Sequence, residues 1–521
     1  MSHRPGRPRL EAPTVNRLAV LLLALGATTS FAAEKPRLGV VIVVDQLSAE
    51  TFRARLPTVT GGFKRLTADG FVFHEARYEA LPTITSVGHA TLMTGAYGEL
   101  HGIVSNDWLD PATGKPQLST EDANFKVLGR EAHGRDGTAP TSLRVPTLAD
   151  AVKRSNEKAL SVSVSGKDRS SILCAGRAGL AVWFDAELPM FTTSTFYAKE
   201  LPAFVLPTNE KFAKQVASGA FAWGLPGGGI TGKAPQLPSR TDDSEPFAEH
   251  KDIQDDIDTG EVDVALEAVK SLGLGKDDVP DLLTISFSGH DRIGHAFGAD
   301  SPESLEEFAH VDRELARLLN GLDALVGKGR YVVALSSDHG VMPLPELAVA
   351  RGLDAGRLDM KNLRERLDRE LDERLGRQDW FLGSKTPGIT FNAKFKDRGL
   401  TIFERLRAVA RQQPGVEDLV LTSSPRGPWA PLITRGAYDG RSPDLYVITR
   451  PNWAYGTVDR TGHSSPYLYD RAVPLIFFGT GVKKGQGGTT EPINLAPTLA
   501  ALLGVSPPAA AQGRFLEQVV P

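Results

Sequence analysis

Cysteine is nearly absent from this 521-residue chain: Cys174 stands alone, which excludes an intramolecular disulfide and any zinc cluster built on thiolates. Positive charge is not in excess either. Fifty-nine Lys and Arg face 63 Asp and Glu, a net charge of −4 that excludes a broadly basic nucleic-acid binder. The same balance makes the bulk surface unfavourable for an anionic substrate. Long apolar runs are missing beyond the N-terminus, so no later segment reads as a membrane anchor. What remains is an ordinary globular composition, 41% hydrophobic and 23% charged, with ample apolar material for a core.

Residues 1–33 read as a secretory signal peptide. Arg4, Arg7, Arg9 and Arg17 form a basic start, residues 18–25 are apolar, and small residues lead to Ala32 and Ala33, where a signal peptidase would cut. The apolar run is too short to cross about 30 Å of hydrocarbon. No cysteine stands at the cleavage site to carry a lipid. Losing this segment removes four Arg and one Glu and moves the net charge to −7. The expected location is the periplasm or the medium, and residues 34–521 are expected to form the body of the fold.

Four uninterrupted apolar runs, 38–44, 282–288, 331–337 and 473–478, read as strands buried on both faces. Helical patterns at 262–272 and 303–325 lie between them. Alternation of this kind predicts an α/β fold: a doubly wound, mostly parallel sheet with helices on both faces. Ligands of such sheets sit outside the carboxyl ends of the strands. Residues 352–440 break the pattern, with helices at 362–375 and 402–411 and strands at 388–392 and 416–421, and predict a small α+β insertion flanking the site. The Gly- and Pro-rich stretch 223–245 reads as a loop. Its Gly227–Gly232 segment matches GxGxxG but lacks the preceding strand and following helix of a dinucleotide site. Gly166-Lys167 lacks the upstream Gly and the following Ser or Thr of a phosphate-binding P-loop.

The predicted strand ends carry metal-ligating residue types. Asp45 ends the first, Asp291 and His295 follow the second one helical turn apart, and Asp338-His339 follow the third. His463 lies in a turn-rich segment before the fourth. Each alone has a plainer reading, Asp45 as a helix cap and each His as a structural residue. Together they supply three Asp and three His, enough for two metals with three protein ligands each and an open position, the arrangement of catalytic sites. Mixed imidazole and carboxylate ligands favour zinc over magnesium or calcium.

In residues 81–95, Pro82 and the β-branched residues read as extended chain and Ser86 as the start of a helix. Thr85 therefore lies near a helix N-terminus, where free N–H groups favour an alkoxide or a phosphoryl group. Capping is its plainer role.

Asp45, the segment Pro82-Thr-Ile-Thr85-Ser-Val-Gly-His-Ala90, His101-Gly-Ile103, Asp291 with His295, Asp338-His339-Gly340 and His463 together resemble the alkaline phosphatase superfamily, in its type I phosphodiesterase/nucleotide pyrophosphatase branch. The likeness runs in order from about residue 38 to the 496–503 segment. It implies an alkaline phosphatase-like catalytic domain over 34–521 holding two Zn2+. Asp291, His295 and His463 would bind one ion. Asp45, Asp338 and His339 would bind the other, together with Thr85, which becomes phosphorylated and is then hydrolysed.

Substrate is a separate question, since this superfamily includes monoesterases, diesterases and sulfatases. A sulfatase needs Cys or Ser in a Cys/Ser-x-Pro-x-Arg motif at the nucleophile position, and Thr85 stands there instead. A phosphoglycerate mutase relative uses Ser and needs no export. Lys167 and Arg169, two apart, would share a face in extended chain, and the plain reading is a solvated pair. The segment, however, resembles the Lys-x-Arg pair of the phosphate-irrepressible bacterial alkaline phosphatases, where both contact the phosphoryl group with an Asn downstream of the nucleophile. Asn106 stands at the matching place. The resemblance implies a monomeric phosphomonoesterase acting on small-molecule phosphate monoesters, with no nucleic acid as a stable partner. Alternatives are a phosphodiesterase or nucleotide pyrophosphatase with the same metals, and a non-catalytic phosphate-binding relative. Two zinc ions, Lys167 and Arg169 would make the pocket net positive within an acidic protein.

Overall fold

The computed structural model describes residues 35–111, 113–130, 137–218, 251–456 and 460–521. The expected signal peptide at 1–33 and the expected loop at 223–245 lie outside the described residues.

Leu38–Val44 is the central strand of a nine-stranded sheet. Tyr331–Ser336 pairs parallel with one side of it and Asp281–Phe287 with the other. Ser161–Ser165 and Leu180–Asp185 extend the parallel run, and Met190–Thr192 closes that edge antiparallel. On the opposite flank Ala472–Gly479 pairs antiparallel with both Tyr331–Ser336 and Phe71–Arg77. Gly485–Gly487 joins Phe71–Arg77 in parallel. The sheet is thus mostly parallel, as expected from the apolar runs, but the run at 473–478 is an antiparallel strand. Nothing in its composition distinguishes the two directions, because a strand covered on both faces is apolar either way.

Every residue of Leu38–Val44 is buried, and alternate side chains enter different cores. Val40, Ile42 and Val44 pack with Phe63, Phe308 and Leu315 on one face. Val41 and Val43 meet Leu92, Met93 and Leu499 on the other. Helices therefore cover both faces, and the carboxyl edge of the parallel strands is left as the place where polar groups can collect.

A second, four-stranded antiparallel sheet runs Phe381–Lys385, Gly388–Phe391, Leu445–Thr449, Val416–Leu421. Helices Met360–Leu375 and Phe403–Ala410 pack on it through Leu363, Leu367, Leu371 and Leu406 in a core of their own. Leu445–Thr449 is an inner strand of this sheet although it lies past residue 440, because its buried Leu-Tyr-Val-Ile-Thr run fills the gap between two earlier strands. No helix among the described residues is long and apolar enough to cross a membrane.

Candidate active site

Three parallel strands end side by side, so the residues that follow them share one edge. Asp45 leaves Leu38–Val44, Asp291 and His295 lie on the helix Gly289–Phe297 after Asp281–Phe287, and Asp338 and His339 follow Tyr331–Ser336. His463 comes from the other direction. Because Ala472–Gly479 runs antiparallel, its start abuts the same edge, and the chain before it delivers the imidazole there.

Each of these imidazoles is oriented by the backbone. Nδ1 of His295 donates to Thr461 O at 3.0 Å, Nδ1 of His339 to Gly340 O at 2.9 Å, and Nδ1 of His463 to Thr83 O at 2.8 Å. A carbonyl only accepts, so the ring proton sits on Nδ1 and Nε2 presents its lone pair, the form that binds a metal. Burial, followed by the neighbouring His339 and His295, lowers the pKa of His463 well below the ordinary imidazole value, which favours the neutral ligand.

Around His339 Nε2 stand Asp45 Oδ1, Asp338 Oδ2 and Thr85 Oγ1, each at 3.4 Å. Those two carboxylate oxygens are buried without a hydrogen-bond partner. Ligands at about 2.0–2.1 Å from a tetrahedral zinc lie about 3.3 to 3.4 Å apart. Three donor atoms at that spacing from His339 Nε2, two of them carboxylate oxygens without a hydrogen bond, fit such an ion. Nearby, Asp291, His295 and His463 form a second group whose ligand atoms lie within 4.8 Å of one another. His295 Nε2 is 3.2 Å and His463 Nε2 3.9 Å from Asp291 Oδ1. Asp291 also comes within 4.8 Å of the Asp45 and His339 donors, so it stands between the two groups.

Thr85 opens the helix Thr85–Thr94, with Ile84 in the extended cap position, so capping is not its role. The helix lies against the Asp338 turn at Gly88, where a Cβ would come 2.1 Å from Asp338 O. His89, one turn along, donates from Nδ1 to Thr85 O at 2.8 Å and meets Ser286 Oγ at 2.8 Å through Nε2. The Thr85 hydroxyl is thereby held at the helix N-terminus, where the aligned peptide dipoles favour negative charge.

Asn106 accepts from Ser86 N at 2.9 Å, one residue from Thr85. Lys167 is buried, and its Nζ bridges Asp45 Oδ2 at 2.8 Å and Asp291 Oδ2 at 2.5 Å. The expected extended Lys-x-Arg face does not form. Lys167 is the cap residue of the helix Asp168–Ala175, and Arg169 is half-buried in its first turn. The helix begins at Asp168, inside the stretch that the alternating pattern kept extended through Arg169.

The electrostatics are those of a site built for cations. Burial, then repulsion from Asp291 and Asp338, raises Asp45 well above the usual carboxylate range. Asp291 is also desolvated by burial, yet Lys167 and His295 hold it well below that range.

Gln46 was not expected. It is buried at a positive φ of 67°, its Nε2 donates to Asp291 Oδ1 at 2.7 Å, and its backbone N–H donates to Asp338 Oδ1 at 3.1 Å. One residue thus orients carboxylates from two strands. The signal for it is slight: a polar residue directly after the central strand's terminal Asp.

The profile of the family described as type I phosphodiesterase / nucleotide pyrophosphatase matches residues 39–466. With the nine-stranded sheet and its edge cluster, this makes the chain a member of that family, a hydrolase within the alkaline phosphatase superfamily. Among individual proteins it is similar to alkaline phosphatase PafA of Elizabethkingia meningoseptica, 30% identical over 96% of this chain and 98% of the relative. Alkaline phosphatase PhoK of a Sphingomonas species is 30% identical over 92% and 90%. The crystal structure of wild-type PafA superposes with a TM-score of 0.83 at 28% identity, covering 94% of this chain and all of that one. A PafA variant with one Thr, one Asn, one Lys and one Arg replaced superposes equally well, at 26% identity and the same coverage of each chain.

Proposed function

We propose that this chain is an exported, two-zinc alkaline phosphatase that hydrolyses small phosphate monoesters through a phosphothreonine on Thr85. The observation that carries the reading is the position of Thr85 Oγ1, 3.4 Å from His339 Nε2, which two buried carboxylate oxygens without a hydrogen bond also approach at 3.4 Å. Asp45, Asp338 and His339 would hold one ion beside Thr85, and Asp291, His295 and His463 the other. Bound there, the ions supply positive charge for the attacking and leaving oxygens and ease deprotonation. Thr85 Oγ then displaces the ester alcohol in line, and water attacking the phosphothreonine returns the free hydroxyl and releases phosphate.

Asn106, Lys167 and Arg169 are assigned to the non-bridging oxygens, where Arg offers a fork and Lys a point charge. A monoester presents a dianion and uses all of them, whereas a diester has one charge fewer. The four residue types replaced in the PafA variant occur here in the same order, with the same 21-residue step between Thr and Asn and the same step of 2 between Lys and Arg, which supports the assignment. Residues 1–33 support export, and the mature chain would act as a monomer.

The test is side-by-side turnover of para-nitrophenyl phosphate and bis(para-nitrophenyl) phosphate by zinc-loaded protein. Preference for the monoester is expected; preference for the diester would move the assignment to the phosphodiesterase and nucleotide pyrophosphatase reading.

A further inference from the structure

Directly after Asn106 the chain forms a two-stranded ribbon, Asp107–Leu109 against Pro116–Leu118, with Trp108 opposite Gln117. Ser119 N donates to Asn106 O at 2.8 Å, which continues the ladder by one pair. Alternate residues of a strand share a face, so Asn106 and Trp108 look the same way with about 7 Å between them. The Asn106 end of this face is tied to the nucleophile helix: Asn106 Oδ1 receives Ser86 N, and Ser119 Oγ meets Ser86 Oγ at 2.8 Å. At the other end it opens into a cleft of about 300 Å³ whose lining includes Trp108, Asp110, Gln117, Ser142, Arg144 and Arg441.

Two arginine side chains line that cleft. They come from distant segments and converge over Gly102, where a Cβ would lie 2.6 Å from Arg144 Cγ and 3.1 Å from Arg441 Nη1. Gly102 belongs to the His101-Gly-Ile103 motif and has a φ of 76°, so its lack of a side chain suits the backbone and leaves room for both arginines. Arg441 is fixed: Nη1 donates to Gly102 O and to Ser142 O, and Cζ lies 4.9 Å from the Trp108 ring centre and 5.3 Å from that of Tyr438. Arg144 is exposed. Neither guanidinium is ion-paired among the described residues, and the one carboxylate of the lining, Asp110, accepts Thr113 N in its own turn at 3.0 Å. Burial, then the nearby Arg144, lowers Arg441 to about 10, so Arg441 remains charged at neutral pH.

We infer that this cleft is a second anion subsite, which binds a carboxylate or phosphoryl group on the alcohol portion of the substrate while the scissile phosphoryl group lies at Asn106 and Thr85. The inference rests on the phosphomonoesterase reading and narrows it to monoesters whose alcohol carries a further anionic group, set off from the ester oxygen by about the two-residue step from Asn106 to Trp108. An aromatic ring spans such a gap.

Phenyl phosphate and 4-carboxyphenyl phosphate are compared in the zinc-loaded enzyme and in its Arg144→Gln and Arg441→Gln variants. The wild type should favour the carboxylated ester in kcat/KM, chiefly through KM. Each substitution should cut that preference about tenfold, as expected for loss of one charge-assisted contact, and Arg144→Gln should leave phenyl phosphate within about twofold. An unchanged preference in both variants, or none in the wild type, overturns the subsite. Equilibrium binding of benzylphosphonate and 4-carboxybenzylphosphonate gives the same comparison without turnover. Failure to hydrolyse phenyl phosphate at all would count against the phosphatase reading, whereas an Arg144-dependent affinity difference between the two phosphonates would still uphold the subsite.

Discussion

Lys167 Nζ lies 2.8 Å from Asp45 Oδ2, and the same ammonium reaches Asp291 on the helix after the neighbouring strand, so one buried cation spans carboxylates of both ligand groups. In the proposed mechanism its positive charge would face a phosphoryl group placed between them. Lys167→Ala should lower kcat/KM for a monoester by about 10² while slowing a diester far less, since loss of one charge-directed donor costs about that factor. Equal slowing of para-nitrophenyl phosphate and its bis-ester would remove Lys167 from the phosphoryl site.

Thr85 makes the second prediction. Thr85→Ala should abolish turnover and any covalent phosphoryl adduct while leaving the fold intact, because among the described residues its hydroxyl makes one polar contact, the 3.4 Å approach to His339. Acid quenching of the wild type during turnover, followed by peptide mass spectrometry, should find phosphate on Thr85. A phosphoryl group found elsewhere, or full activity in the alanine variant, would refute the nucleophile.

Removal of metal should destabilise as well as inactivate. Asp45, Asp291 and Asp338 are buried together, and Lys167 pairs with only two of the three. Chelation followed by dialysis should lower the melting temperature, and zinc should restore both Tm and activity. An ion held at a hundred to a thousand times its Kd adds about 3 to 4 kcal/mol. A Tm indifferent to zinc would argue against the shell around His339.

Gly88 is the packing test. Its missing Cβ lets the Thr85 helix rest against Asp338 O, which an alanine would approach at 2.1 Å. Gly88→Ala should cost about 1–3 kcal/mol as the helix is pushed outward. Activity should fall further than stability, because Thr85 would leave His339. Chemical denaturation and kcat measured on one preparation separate the two effects.

Asp470 offers a pH test away from the ligands. It is buried, its Oδ2 accepts Ser465 N at 2.8 Å, and burial pushes it up to about 8. A carboxyl raised in the fold favours the protonated protein, so its contribution is complete below pH 3.8 and is lost progressively as pH rises to about 8. Asp470→Asn keeps an acceptor for Ser465 and cannot ionise. The variant should therefore gain on the wild type between pH 4 and 8 and hold that gain above, in melting curves at fixed zinc. A constant difference across pH would show that Asp470 is not the titrating group.

By itself the sequence determined which residues could ligate and where in the chain they stand. A strand buried on both faces must be apolar, and a charged residue at its end must leave the core, so Asp45, Asp291, His295, Asp338 and His339 were legible as strand-end groups. Thr85 was legible for the same local reason, extended chain giving way to helix. Tertiary structure alone decided the rest. The antiparallel course of Ala472–Gly479 carries His463 to the common edge, and strand direction leaves no mark on an apolar run. The place of Lys167 between two carboxylates, the left-handed turn at Gln46, and the meeting of Arg144 with Arg441 depend on pairings across 122, 245 and almost 300 residues. Local periodicity records which face of an element is covered. It does not record which distant side chain covers it, and that choice is made when the sheet and its insertion pack.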